Sequence, residues 1–157
     1  MAQQAPSAPR SAAHVPLVDA SRIAGLLRPR GIALLGVSGR ADNLMARPLR
    51  YLLEHGFEGG IYPVNPKYEE LSGLPCYPSL ADVPGPVDLV LVLVPAEVVE
   101  NAIREAAAVG ASVAVVFASG YAETGPVGVA LQEQLAAVAQ ETGVRDLGPN
   151  CQGFLYA

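Results

Sequence analysis

The sequence predicts an α/β protein: a Rossmann-like, doubly wound parallel sheet of about five strands with helices on both faces. Three observations predict it. Short apolar runs recur along the chain at a length that suits strands buried on both faces. Segments with apolar residues at helical spacing separate them, and glycine-rich turns join the two kinds of segment. Such an alternation describes a parallel sheet covered by its own crossover helices. No repeat of fixed period appears beyond it.

The elements follow in order. Residues 1–18, within the stretch MAQQAPSAPRSAAHVP and just beyond it, read as a mobile tail rich in Ala, Pro, Ser and Gln, and residues 19–157 as the domain. Asp19 is a candidate N-cap for a short helix with Ile23, Leu26 and Leu27 on one face, ended by Pro29. Residues 32–35 form the first strand, which Gly36 stops. In residues 43–55, Leu44, Leu49, Leu52 and Leu53 lie near helical spacing; Pro48 must sit early in that helix or delay its start, and Gly56 ends it. GGIYPVNPK is the second strand, closed by Asn-Pro. The connection YEELSGLPCYPSLADVPGP holds too many prolines and glycines for more than one helical turn, around residues 79–83. VDLVLVLVP, residues 87–95, is the clearest buried strand. Residues 96–109 form a helix ended by Gly110, and ASVAVVFA is the fourth strand. Pro126 suits the first turn of the next helix, whose inward stripe is Leu131, Leu135, Val138 and Ala139. Residues 144–147 form a short last strand running into GPNCQGF.

Composition narrows the function. The 157 residues, 51% hydrophobic and 16% charged, fit one domain with a buried core. A formal charge of -5 leaves no basic footprint for nucleic acid, so an anionic small ligand must find local positive charge. Cys76 and Cys151 show no CxxC or Cys/His spacing, which indicates neither zinc nor a disulfide framework; a reduced, cytoplasmic protein is the simplest reading. The N-terminal segment has no apolar h-region, and no stretch approaches the roughly 18 apolar residues of a membrane helix.

In a doubly wound sheet the ligand crevice lies outside the carboxyl ends of the strands, where strand order reverses. The residues that follow each apolar run are residues 36–40, 65–67, 94–97, 118–121 and 148–150. The first group is tested by the dinucleotide fingerprint G-x-G-x-x-G. Counted from Gly36, the second glycine position is Ser38 and the third Ala41, so the match is weak. The Ser38 hydroxyl and the N–H groups near Gly39 still suit a phosphate at the start of the following helix. At the second group an NAD site places an acid on the ribose, but here stands Asn65-Pro66-Lys67, with no acid until Glu69. A lysine there suits a ligand with phosphate on its ribose. The other reading is a plain Asn-Pro turn beside a solvated Lys67.

The ordered series IALLGVSGR, GGIYPVNPKYEELSGLPCYPSLADVPGPVDLVLVLVPAE, GYAETG and GPNCQGF resembles the N-terminal CoA-binding domain of the nucleoside-diphosphate-forming acyl-CoA synthetases, relatives of the succinyl-CoA synthetase alpha subunit. The resemblance runs from about Leu26 to Phe154. It implies that Gly36-Val37-Ser38 matches the family's G-A-S loop and, with Gly39, Arg40 and Ala41, cradles coenzyme A phosphates. It implies that Asn65-Pro66-Lys67 matches N-P-K, with the lysine at the phosphoadenosine end. Val94-Pro95-Ala96 would line the cofactor with backbone groups, and the segment from Gly148 through Asn150 to Cys151 would lie near the exit toward a following domain. Val37, where alanine is usual, is expected to add bulk beside the loop, and Gly39-Arg40-Ala41 departs from the commoner continuation.

The resemblance further implies acid–thiol ligation through an acyl phosphate and a phosphohistidine on a following domain, with further synthetase domains or subunits as partners. Only His14 and His55 are present; the first is in the tail, and the second suits capping at a helix end. GVSGR lacks the second glycine of G-x-S-x-G. Cys151 reads as a buried structural thiol, and Glu123 as a charge at a helix N-terminus. No complete active site is expected in these residues. The chain reads as the CoA-binding piece of such a synthetase; the alternatives are a standalone CoA-binding or sensing module and an NAD(P)-binding oxidoreductase domain.

Overall fold

The computed structural model describes residues 25–153. Asp19 and Ile23 of the first expected helix, and Phe154 of the last motif, lie outside the described residues; residues 25–27 are helical and the helix is over before Pro29.

The elements are β1 (Gly31–Leu35), a 3-10 turn (Leu44–Ala46), α1 (Arg47–Glu54), β2 (Gly60–Val64), β3 (Glu70–Leu71), β4 (Leu74–Pro75), a second 3-10 turn (Leu80–Asp82), β5 (Leu89–Val92), α2 (Ala96–Ala108), β6 (Val113–Val116), a third 3-10 turn (Ala122–Thr124), α3 (Pro126–Thr142) and β7 (Arg145–Leu147). Five strands form one sheet in the order β2-β1-β5-β6-β7, every pair parallel. The chain steps outward from β1 to β2 and then returns across β1 to β5. Strand order therefore reverses between β1 and β5, and the crevice at their carboxyl ends is the place for a ligand.

Period-2 alternation sends the strand side chains into two cores. Ala33, Val90, Val92, Ala114 and Val116 pack against Val99, Ile103 and Ala106 of α2 and Leu135 and Val138 of α3. Ile32, Leu34, Leu89, Leu91, Val113 and Val115 point the other way, toward Leu49 of α1 and toward Leu71 and Cys76. Burial on both faces is why these strands read as unbroken apolar runs.

At the opposite end of the sheet from the crevice, Arg30 grips Asp88 with its guanidinium at 2.9 and 2.7 Å and donates its backbone N–H at 2.7 Å. This tie joins the entrances of β1 and β5. Pro48 sits in the first turn of α1, and Asn43 opens the preceding 3-10 turn by accepting the Met45 N–H at 2.9 Å. The long connection contains an antiparallel hairpin, β3 with β4, that its composition does not announce. Ser72 and Gly73 supply the two consecutive positive φ angles, 54° and 80°, of a two-residue hairpin turn.

Candidate functional site

The crevice is organised by one glycine. Gly36 has φ +87°, and a Cβ there would lie 2.6 Å from Val94 Cγ1 and 3.0 Å from the Leu93 carbonyl oxygen. Its N–H donates to Val64 O at 2.8 Å. Only glycine fits this conformation and this spacing, so the exits of β1, β2 and β5 are drawn together at one point.

The residues after Gly36 divide between core and loop. Val37 is fully buried and joins the core on the α1 face. Its extra bulk is therefore spent inside the sheet, which corrects the expectation of bulk beside the loop. Ser38 Oγ accepts the Arg40 N–H at 3.2 Å and bends the chain. Gly39 is closely covered by side chains: a Cβ there would lie 2.8 Å from Leu71 Cδ2 and 3.1 Å from Tyr68 Cε1, so those side-chain ends would have to shift to admit one. The hairpin thus presses on the loop from outside. The N–H groups of Gly39 and Ala41 have no acceptor among the described residues. Arg40 pairs with Asp42 through bonds of 3.2 and 3.0 Å, both side chains being about three-quarters exposed at 74% and 73%. The guanidinium holds the Asp42 carboxyl below the usual carboxylate range.

Asn65 spends every polar group it has. Its N–H donates to Tyr77 O at 2.9 Å, and its carbonyl accepts from Tyr68 N–H at 3.3 Å and Cys76 Sγ at 3.5 Å. Its side-chain Nδ2 donates to Val37 O at 2.9 Å, and Oδ1 accepts the Lys67 N–H at 3.0 Å. Pro66 and Lys67 stand exposed beyond it. Lys67 is the sole lysine of the sequence, and its ammonium pairs with no carboxylate among the described residues.

On the other side of Gly36 a cleft of about 820 Å³ opens between the exits of β5 and β6. Its walls include Val94, Pro95 and Ala96 from the β5 exit, Ala118 and Ser119 from the β6 exit, and Ala130 from α3. Gly36, Ser38, Gly39, Arg40, Ala41, Asn65, Pro66, Lys67 and Asn150 do not line it. Asn150, at φ +58°, donates its N–H to Ala118 O at 2.8 Å and so supports the far wall. Cys151, expected to be buried, is only half-buried, because its N–H bond to Val116 O at 3.0 Å keeps it at the end of β6 rather than beneath the sheet.

The β6 exit is held by side chains. Glu123 accepts the Gly120 N–H at 2.7 Å, which holds its carboxyl below the usual range, and Gln132 accepts the Ala122 N–H at 3.3 Å. Tyr121 is fully buried, and burial, aided by the carboxylates of Glu97, Asp146 and Glu123, pushes its phenol up. Among the described residues no cluster of His, Cys, Asp and Glu could hold a metal ion. His55 lies at the C-terminal cap of α1, its N–H donating to Tyr51 O at 3.0 Å and its ring tilted against that of Tyr51.

With this geometry in place, comparison with known families is decisive: residues 30–157 match the model of the CoA binding domain. The chain belongs to the CoA-binding domain family. Its relatives include an ADP-forming acetate–CoA ligase I of Archaeoglobus fulgidus, 39% identical over 83% of this chain and 19% of that protein. The alpha subunit of the ADP-forming acetate–CoA ligase II of Pyrococcus furiosus is 36% identical over 81% of this chain and 28% of its own length. A solved structure from Ca. Korarchaeum cryptofilum, a dinucleotide forming acetyl-coenzyme A synthetase 1 in complex with phosphate and ADP, superposes with a TM-score of 0.81 at 40% identity, over 85% of this chain and 28% of that one. The chain thus spans between a fifth and about three-tenths of these relatives.

Coenzyme A fits the residues present. A CoA-binding domain must meet a strongly anionic ligand that also carries a long uncharged arm. The N–H groups of Gly39 and Ala41, the Ser38 hydroxyl and the Lys67 ammonium are of the chemical kind the first need calls for, and the mainly apolar cleft of the kind the second calls for. The sequence pattern did not single out Met45, Phe117, Val127, Ala130 or Gln134, which also line the cleft. A usable signal was present: only the loop of residues 117–125 separates the β6 exit from α3, so the first turns of α3 lie near the carboxyl edge of the sheet.

Proposed function

We propose that this CoA-binding domain holds coenzyme A as one part of a nucleoside-diphosphate-forming acyl-CoA synthetase, an acid–thiol ligase whose remaining catalytic groups belong to other domains or subunits. The observation that carries this reading is the continuous rim from Lys67 through Asn65, Val37 and Gly36 to Val94, the cleft and Asn150. One end of that rim is cationic and rich in free N–H groups; the other is apolar. Ser38, Gly39, Arg40 and Ala41 hold the pyrophosphate, Lys67 the phosphate on the ribose, and Val94, Pro95 and Ala96 the uncharged part. Gly36, Asn65, Pro66 and Asn150 set the shape of the site.

Arg40 comes with its own carboxylate, so its contribution to an anion is reduced and Lys67 carries the larger share. Among the residues placed at the site no nucleophile has a base beside it, and the Ser79 hydroxyl, which donates to Asp82 at 2.7 Å, lies in the connection before β5 and does not line the cleft, so in this reading the domain binds and presents the thiol while acyl activation occurs elsewhere. The identity of the relatives supports this division, since the named ligases are several times longer than the chain. A site for such a metabolite, with no helix among the described residues long and apolar enough to cross a membrane, accords with work in the cytoplasm.

Calorimetric titration of the full chain with coenzyme A, dephospho-coenzyme A and NADH tests the proposal. Binding of coenzyme A with the tightest affinity is expected. Tight NADH binding with no heat from coenzyme A would refute it in favour of an oxidoreductase domain.

A further inference from the structure

Asn65 occupies the narrow isthmus between the two phosphate-binding loops, and its side chain touches both. One amide donor reaches Val37 O, in the loop after β1, at 2.9 Å; the amide oxygen accepts the Lys67 N–H, in the loop after β2, at 3.0 Å. The residue is half-buried, and its main chain is itself fixed by Tyr77, Tyr68 and Cys76. Both bonds come from a planar amide, so they set the direction of one loop relative to the other. Pro66, with φ restrained by its ring, removes the main freedom left between Asn65 and Lys67.

Resting on the coenzyme A reading above, we infer that Asn65 is a positioning residue: it fixes the distance between the Lys67 ammonium and the loop of residues 38–41, and so sets the preference for ligands phosphorylated on the ribose. It acts through Lys67. An exposed lysine on an untethered loop samples many positions and loses rotamer entropy when it meets a phosphate. The same lysine on a loop held at its first turn is delivered to one region. The direction of the Val37 carbonyl also matters: the N–H of the same peptide, that of Ser38, donates to Met45 O at 3.4 Å, so the loop is pinned at its start and the N–H groups of Gly39 and Ala41 are those left for the ligand.

The experiment measures the affinities of coenzyme A and dephospho-coenzyme A for the full chain and for Asn65→Ala, Asn65→Ser, Lys67→Ala and the double variant Asn65→Ala/Lys67→Ala. Wild type is expected to prefer coenzyme A by ~5-fold, as an exposed ion pair allows. Asn65→Ala should reduce that ratio below ~2, and adding Lys67→Ala should reduce it no further, since both changes remove one interaction. A serine hydroxyl can accept the N–H two residues on but is too short to reach Val37. Asn65→Ser should therefore keep most of the ratio while weakening both ligands ~2–10-fold. A wild-type ratio in Asn65→Ala, or a further fall in the ratio in the double variant, overturns the inference while leaving the coenzyme A reading intact. If Asn65→Ala fails to fold, Asn65→Ser decides: unchanged affinity for both ligands overturns it. Absence of coenzyme A binding to the wild-type chain defeats both readings together.

Discussion

Replacing Lys67 by alanine should weaken coenzyme A about fivefold and leave dephospho-coenzyme A nearly unchanged. The two ligands differ by one phosphate monoester, which carries about -1.5 to -2 charges near pH 7. Lys67 is exposed, so the interaction belongs in a water-like dielectric, where unit charges ~4 Å apart interact by about 1 kcal/mol. The phosphate charge raises this to about 1.5–2 kcal/mol. Screening over a Debye length of about 8 Å at physiological salt returns it to about 1 kcal/mol. Since about 1.4 kcal/mol corresponds to a factor of ten, the expected change is about fivefold. A buried ion pair would give far more, and the exposure of this side chain decides against that. Titration calorimetry at ~0.15 M and ~1 M salt is the assay, with the preference shrinking toward ~2-fold or less at the higher salt. Equal weakening of both ligands by Lys67→Ala, or a preference indifferent to salt, would refute the assignment of Lys67 to the ribose phosphate.

Four other outcomes are expected. Gly36→Ala should destabilise the fold by ~1–3 kcal/mol in urea unfolding, because φ +87° and the Val94 and Leu93 contacts both exclude a Cβ. Ala130→Phe, which projects bulk into the cleft, should lower coenzyme A affinity ~10-fold or more by calorimetry with little change in melting temperature. The Arg30 bonds hold the Asp88 carboxyl below its ordinary range, so their contribution is present above the unfolded-state value near pH ~4 and is lost as pH falls through the lower folded value; acid unfolding should be less steep in Asp88→Asn than in wild type. Asp146 is the opposite case, since burial pushes its carboxyl up: stability is full below the unfolded-state value and falls as pH rises through the folded one, so Asp146→Asn should be the more stable protein at pH ~7 and equal to wild type near pH ~3.

The fold was legible because its strands are buried on both faces. Val90 and Leu91, or Ala114 and Val115, are adjacent in sequence, face opposite cores and are apolar for the same reason. Helix stops were legible through glycine: Gly56 and Gly110, read as stops, both take positive φ, and Gly143, which the sequence reading did not single out, does the same after α3. The hairpin of β3 and β4 was not, because strands of two residues cannot display a period. At the site, the resemblance named the loops, but the tasks of individual residues depend on contacts that spacing does not encode. Gly39 answers to Leu71 and Tyr68, some thirty positions away by sequence. Asn65 is turned inward to Val37 rather than outward to solvent. The cleft wall from α3 was missed because its residues carry no motif; they matter only through where the helix begins.

The missing glycine of the first loop now has a physical account. A dinucleotide loop uses its second glycine for the close approach of backbone to pyrophosphate. Here that position is Ser38, whose oxygen accepts the Arg40 N–H, and in the proposed reading the close approach falls one residue on. Gly39 lies under the hairpin and keeps its N–H free. Restoring a glycine at position 38 would remove the Oγ acceptor without relieving any contact. Adding a side chain at position 39 would instead displace the ends of the Leu71 and Tyr68 side chains that cover the loop. The loop is therefore built from two sides, by Asn65 beneath and the hairpin above. A ligand binding there meets a shape that β1 and its helix alone do not determine, and this is why the fingerprint test fails on a chain whose family nevertheless binds a nucleotide cofactor.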